Sequence, residues 1–272
     1  MDKYLIAVDL DGTLLPSLYS LSSYSVKVFN KLREEGHKIV ITTGRPYRSS
    51  YFVYQAFNLD TPLINYNGGL ISNPSDPSFE VKCGLLNRQD LINIYLTQKD
   101  NFYLFFAEYF DSIYSNRDYD EIHELMHYSE MAELKVGEID QILDHDAHGC
   151  LILSKEGYGE KIKKYVLENF KDIGARIWSW GPYKEIVELY SQIVSKGTAI
   201  KYVREGMGFD KAHLMACGDS HNDFEFFDEA GIKVTLKNGD IEIRKKADIV
   251  YPVECKDDGL AKFMVEYFHL DI

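Results

Sequence analysis

Five apolar residues, Tyr4-Leu5-Ile6-Ala7-Val8, run without a break into Asp9-Leu10-Asp11-Gly12-Thr13. A run of that length fits a strand buried on both faces of a parallel sheet. Open α/β sheets place their ligands at the carboxyl ends of such strands, so Asp9 and Asp11 are expected at the tip of a central strand, in a crevice. Ser22 then caps a helix to about Glu35, with Val28, Phe29 and Leu32 on one face and Gly36 as its stop. A second apolar strand, Lys38–Ile41, ends in Thr42-Thr43-Gly44-Arg45-Pro46. A helix through Tyr47–Phe57, a strand near Pro62–Tyr66 and the turn Asn67-Gly68-Gly69 follow. The first 70 residues therefore read β-α-β-α-β, the opening of a doubly wound parallel sheet.

From about Cys83 the patterning changes. Asn87 caps a helix through Lys99, Phe102–Ala107 and Ser112–Ser115 read as a hairpin, and a polar helix is expected over roughly Tyr119–Glu130. Cys150–Leu153 is a strand, and Lys161–Phe170 a helix with Ile162, Tyr165, Val166 and Phe170 on one side. Arg176–Trp180 and Glu185–Leu189 form a second hairpin around Gly181-Pro182. This is an α+β insert, placed at 83–190, between core segments 1–82 and 191–272. The parallel style returns with a helix from Lys196 to about Glu205 and a strand, His213–Cys217, ending in Gly218-Asp219-Ser220-His221-Asn222-Asp223. Then come a Phe-rich helix whose aromatics fit a core, a strand Ile232–Leu236, a helix Ile241–Ala247, a strand Ile249–Tyr251 and a last helix Asp258–Phe268.

Composition adds limits. The 272 residues are 45% apolar and 27% charged, and 20 Tyr with 15 Phe supply a large core. A formal charge of −13 argues against nucleic acid and anionic membranes as partners. It also means that an anionic substrate needs local cations or a metal. Cys83, Cys150, Cys217 and Cys255 match no zinc spacing, and none sits beside a plausible base. Met1-Asp2-Lys3 leads straight into the first strand, so no signal peptide is expected, and no apolar run approaches the roughly 18 residues of a membrane span. A cytoplasmic location with free thiols is expected, as a monomer or a homodimer.

Three apolar strands thus end in polar tips: Asp9/Asp11, Thr43/Gly44 and Asp219–Asp223. In one parallel sheet these tips share an edge, and Lys196 opens a helix just upstream of the last. Four carboxylates (Asp9, Asp11, Asp219 and Asp223) in one crevice would repel one another unless a divalent cation such as Mg2+ is present. Phosphoryl transfer asks mainly for positioning and charge neutralisation. Asp9 suits the nucleophile and Asp11 the proton carrier, while Thr43, Gly44, Lys196 and Asn222 suit the phosphoryl oxygens. Each piece also has a plainer reading: a solvated Asp-Gly turn, a helix cap before Pro46, a surface lysine, and a loop histidine at His221.

Taken together, Asp9-Leu10-Asp11-Gly12-Thr13-Leu14-Leu15, Thr43-Gly44-Arg45-Pro46, Asn67-Gly68-Gly69, Lys196-Gly197, Gly218-Asp219-Ser220-His221-Asn222-Asp223 and Asp257-Asp258-Gly259-Leu260 resemble the haloacid dehalogenase (HAD) superfamily. The resemblance is to its Cof-type, class IIB, phosphatases. It implies a Rossmann-like core with an inserted cap, Asp9 as nucleophile and Asp11 as general acid/base. It implies Mg2+ on Asp9, the Asp11 carbonyl and Asp219, with Asp223 supporting, and phosphate held by the Leu10 amide, Thr43, Gly44, Lys196 and Asn222. The family often carries Met-Gly-Asn-Ala late in the chain, where this sequence has Leu236-Lys237-Asn238-Gly239.

The function expected is a Mg2+-dependent phosphatase of small phosphorylated metabolites, such as sugar phosphates, acting through an aspartyl-phosphate. The alternatives are a phosphomutase of the phosphomannomutase type, for which the insert is not notably basic, and a non-enzymatic phospho-acceptor or binding protein. Tyr109, His148, Arg176, Trp178, Trp180 and Tyr183 are the insert's candidates for substrate contact, each with a structural role as the plainer reading.

Overall fold

The computed structural model describes residues 2–129 and 131–272. In chain order the first elements are β1 (Leu5–Val8), α1 (Ser23–Glu34), β2 (Lys38–Ile41), α2 (Tyr47–Ala56), β3 (Leu63–Asn65), β4 (Leu70–Ser72) and β5 (Lys82–Cys83). The insert contributes α3 (Arg88–Gln98), β6 (Phe102–Tyr109), β7 (Ser112–Ser115), β8 (Glu133–Val136), α4 (Ile139–Ile142), β9 (Gly149–Ser154), α5 (Gly159–Asn169), β10 (Ile173–Trp180) and β11 (Tyr183–Ser191). The return supplies α6 (Lys196–Gly206), β12 (Leu214–Cys217), α7 (Phe224–Asp228), β13 (Ile232–Leu236), α8 (Ile241–Lys246), β14 (Ile249–Tyr251) and α9 (Gly259–Phe268).

The chain forms two compact units, one of Met1–Gly44, Ser50–Lys82 and Val194–Ile272, the other of Arg45–Ser49 and Cys83–Ile193. The first is built on a five-stranded parallel sheet in the order β14-β13-β12-β1-β2. All four residues of β1 are buried, as its unbroken apolar run requires. Register decides the site. Leu5 pairs with both Lys38 and Leu214, and Val8 with both Ile41 and Cys217, so β2, β1 and β12 end level. The loops leaving these three strands therefore emerge along one sheet edge.

One expectation fails here. The third strand does not join this sheet as a full member. β3 touches β2's end through an isolated parallel bridge, Thr42 to Ile64, and pairs antiparallel with β4 in a separate sheet ordered β3-β4-β5. The reason is local: β3 has three residues, and Tyr66, Asn67 and Gly68 then all take left-handed backbone and reverse the chain.

The second unit is a six-stranded sheet, β10-β11-β9-β6-β7-β8, antiparallel except for β7 against β8. Alternation in β6 separates its faces. Phe105 and Ala107 join Tyr95 of α3 and Ile162 and Val166 of α5 in one apolar cluster, while Leu104 and Phe106 join Ile122, Leu125 and Met126 in another. The helix expected over Tyr119–Glu130 is instead a short 3-10 turn at Asp120–Ile122 followed by turns. Ile122, Leu125 and Met126 have helical spacing, but His127 at φ 47° ends the winding after one turn. Glu130 lies outside the described residues. β8, next in the chain, alternates as Glu133-Leu134-Lys135-Val136 but over four residues only, and no strand was expected there.

Candidate active site

The tip of β1 is tied down by its own backbone. Asp9 donates from its amide to the Cys217 carbonyl at 2.9 Å, and the Leu10 carbonyl accepts from Leu14 and Leu15 at 2.9 and 2.7 Å. Gly12 has φ +75°, and a Cβ there would lie 2.2 Å from Asp219 Oδ2. Glycine is demanded at that position twice over, by the backbone and by the carboxylate that crosses it.

Lys196 is not the surface residue its plainer reading proposed. It opens α6, whose cap Ser195 accepts from the Thr198 amide, and its side chain is wholly buried. Its Nζ donates to Asp9 Oδ1 at 2.5 Å and to Asp223 Oδ1 at 2.7 Å. Asp223 is itself fully buried, and its Oδ2 accepts from the amides of Asp219 and Ser220 at 2.9 and 3.1 Å. Asp9, Asp219 and Asp223 each offer a carboxylate oxygen within 4.8 Å of the others. Asp11 is exposed, and its carboxylate is not one of the three.

These charges disturb one another. Burial pushes the Asp9 carboxyl well up; Lys196 opposes this, and Asp223, Asp219 and Asp11 reinforce it. Asp219 is pushed up to about 7 by burial and then by Asp223. Burial works against the Lys196 ammonium, but Asp223 and Asp9 outweigh it and hold the lysine protonated. One cation thus faces three acids.

The β2 tip lies beside this cluster in the sheet order. Thr43 is buried; its amide donates to the Ile64 carbonyl at 3.0 Å and its carbonyl accepts from the Asn67 amide at 3.0 Å. Gly44 is exposed. Asn222, half-buried, donates from Nδ2 to Asn67 Oδ1 at 2.9 Å and accepts at Oδ1 from Ser220 Oγ at 2.6 Å. His221 is exposed and meets Phe224 edge-on at 4.9 Å, in keeping with its reading as a loop histidine.

Two residues in these contacts carried no assigned role. Asn67 was visible as part of a turn and of a stretch that resembles the family, with no role of its own. Asn238, from the stretch that departs from the family's usual residues, donates from Nδ2 to the Gly12 carbonyl at 2.7 Å and accepts from the Cys255 amide at 2.8 Å. Its neighbour Asp240 donates from its amide to the Asp219 carbonyl at 2.8 Å. That loop therefore braces the turn after β1 and the Asp219 backbone together. None of these bonds could be found from spacing alone, because each joins segments apart in sequence and those of Asn238 and Asp240 are to backbone atoms.

The four cysteines are free thiols, and burial raises all of them, Cys255 to about 12. None suits a thiolate nucleophile. Within the insert, His148 is buried with Tyr109 stacked on it at 5.5 Å, and Arg176 makes a two-pronged pair with Glu188 at 2.8 and 2.6 Å. Trp178, Trp180 and Tyr183 pack against an apolar cluster.

A family profile described as haloacid dehalogenase-like hydrolase matches residues 6–264. The chain belongs to the HAD-like hydrolases, in their Cof-type branch. It is 30% identical over 273 residues to the 5-amino-6-(5-phospho-D-ribitylamino)uracil phosphatase of Bacillus subtilis, covering 98% of each chain. It is 26% identical to the phosphoglycolate phosphatase of Methanothermobacter thermautotrophicus over 90% of each. Among solved structures, a HAD-like hydrolase from Bacteroides thetaiotaomicron superposes with a TM-score of 0.84 at 22% identity, over 98% of this chain and 100% of that one. A HAD subclass IIB sugar phosphatase superposes with a TM-score of 0.78 at 18% identity, over 99% and 100%. Among the described residues, no helix of this HAD hydrolase is long and apolar enough to cross a membrane.

Proposed function

We propose that this phosphoric monoester hydrolase removes phosphate from small phosphorylated metabolites through an aspartyl-phosphate on Asp9, with Mg2+ as cofactor. The observation that carries the reading is the buried Lys196 held between Asp9 and Asp223 while three carboxylates converge within 4.8 Å. The donor set fits a hard cation, since it is made of carboxylate oxygens with no imidazole or thiolate. Asp9 and Asp219, with the Asp11 carbonyl, would hold Mg2+, and Asp223 would support them. When bound, Mg2+ supplies the positive charge that lets these acids stay ionised beside a phosphate.

In the first step an Asp9 carboxylate oxygen bonds to phosphorus and the bond to the leaving oxygen breaks. Asp11, exposed at the turn, gives its proton to that oxygen. In the second step Asp11 takes a proton from water, whose oxygen bonds to phosphorus; inorganic phosphate leaves and Asp9 is restored. Lys196 neutralises charge beside Asp9 throughout. Thr43, the Gly44 and Leu10 amides and Asn222 receive the phosphoryl oxygens. The Thr43 amide is already committed to Ile64, so its hydroxyl is the group assigned to phosphate.

The relatives' names span a phosphorylated ribitylamino-uracil and phosphoglycolate, which supports a small phosphorylated metabolite as the class. Free thiols and a charge of −13 fit a cytoplasmic enzyme that uses neither nucleic acid nor membrane. The test is a panel of phosphomonoesters assayed for phosphate release with Mg2+ and with EDTA. Mg2+-dependent release is expected. Turnover that survives complete metal removal would overturn the cofactor, and isomerisation without release would make the protein a mutase.

A further inference from the structure

The turn after β3 is left-handed in three consecutive residues: Tyr66 at φ 49°, Asn67 at φ 54° and Gly68 at φ 101°. A left-handed backbone is ordinary for glycine, tolerated by asparagine and unusual for a bulky tyrosine, so the surroundings must enforce it. They do so from three sides. The Asn67 amide donates to the Thr43 carbonyl, its Oδ1 accepts from Asn222 Nδ2 at 2.9 Å, and a Cβ on Gly68 would lie 2.4 Å from the carbonyl of Ser195, which caps the helix that begins with Lys196. This one turn thus abuts the segments that carry Thr43, Asn222 and Lys196.

The hydrogen bonds at Asn222 have a direction. Its Oδ1 accepts from the Ser220 hydroxyl at 2.6 Å, and one N–H donates to Asn67. The amide is therefore held at both ends, and its second N–H is the group left to meet an anion. A flipped amide would present a carbonyl oxygen instead, which repels a phosphoryl oxygen.

We propose that Asn67 is a positioning residue, which orients the Asn222 amide so that an N–H points to the phosphoryl group and which joins that donor to the Thr43–Gly44 backbone. This rests on the reading of Asn222 as a phosphate ligand. Asn67 acts through Asn222, and the effect falls on the transferred phosphoryl group, whatever the leaving group.

The test is a double-mutant cycle of Asn67→Gly and Asn222→Ala in the full-length, Mg2+-loaded enzyme, following kcat, KM and the inhibition constant of inorganic phosphate. Glycine accepts φ 54° readily, so Asn67→Gly removes the side chain without straining the turn. Asn67→Gly is expected to lower kcat/KM by roughly 10- to 100-fold, by the same factor for substrates with different leaving groups, and to weaken phosphate inhibition, with Tm moving by less than about 5 °C. In the Asn222→Ala background the further loss should shrink to under about threefold. Full additivity of the two losses would overturn the proposal, as would wild-type phosphate inhibition in Asn67→Gly. If Asn67→Gly does not fold, the same cycle with Asn67→Ala decides, since alanine also lacks the acceptor. A wild-type enzyme that hydrolyses no phosphomonoester would strike the phosphatase reading and this inference with it; wild-type turnover unaffected by Asn222→Ala would strike this inference alone.

Discussion

Both units bury charge, and they do it differently. In the insert unit the Arg48 guanidinium, its side chain fully buried, pairs with Glu108 and also donates to the carbonyls of Met126 at 2.6 Å, His127 at 3.0 Å and Phe110 at 3.3 Å. One guanidinium pairs directly with one carboxylate, Asp111 adds a second acid nearby, and three backbone oxygens accept from the same guanidinium. In the core unit one ammonium, Lys196, meets three carboxylates, Asp9, Asp219 and Asp223. The first arrangement ties the segment Arg45–Ser49 to the insert's loops. The second sets one cation against three converging acids, and it is there that we propose a bound metal ion. Burial alone does not single out a candidate site; an unbalanced buried cluster in a crevice is the stronger pointer.

The contrast can be broken most directly at Asp9. Asp9→Asn is expected to cost roughly four orders of magnitude or more in kcat. It should leave Tm unchanged or raise it in the metal-free enzyme, because one of three mutually repelling acids is gone. Retention of a tenth of wild-type turnover would remove Asp9 from the chemistry. Metal removal comes next. EDTA should abolish phosphate release, and Mg2+ should raise Tm, by about 2.7 kcal/mol of stabilisation at a hundredfold excess over its Kd. A melting curve indifferent to Mg2+ would show that the three acids tolerate one another unaided.

In the insert, Glu108→Ala leaves a buried guanidinium uncompensated and should destabilise the protein by about 3–5 kcal/mol, read from urea unfolding. A loss under about 1 kcal/mol would make the pair no better than a surface one. The smallest effect is in pH. Burial raises the Glu108 carboxyl above its usual range, and Arg48 only partly offsets it. Between its unfolded value, near 4.5, and its raised folded value, the native state binds more protons than the unfolded state. Stability relative to Glu108→Gln should therefore be greatest below that lower value and fall as pH rises through the folded one. A difference that grows with rising pH would contradict the shift.

Much of this was legible along the chain. The β1 run, the caps at Ser22 and Asn87 and the insert's hairpins are local signals, and they appear where patterning places them. The residues expected at three strand tips are brought to one sheet edge. The failures are equally physical. Residues 119–129 have the apolar spacing of a helix, but those side chains are claimed by a sheet face that lies elsewhere in the sequence. β3 reads as a sheet strand, yet the left-handed residues after it turn the chain away.

Apolar runs, caps and acid spacing are properties of neighbours in sequence, so the chain by itself determined the core strands, the insert's α+β style and the residue types at each tip. Contacts between segments obey no spacing rule. Only the tertiary structure decided that Lys196 is buried between Asp9 and Asp223, that Asp11 stands outside the three converging acids, and that the uncharged side chains of Asn67 and Asn238 brace the tips. Burial and mutual repulsion, which raise the proton affinities of Asp9 and Asp219, exist only once the distant segments have met.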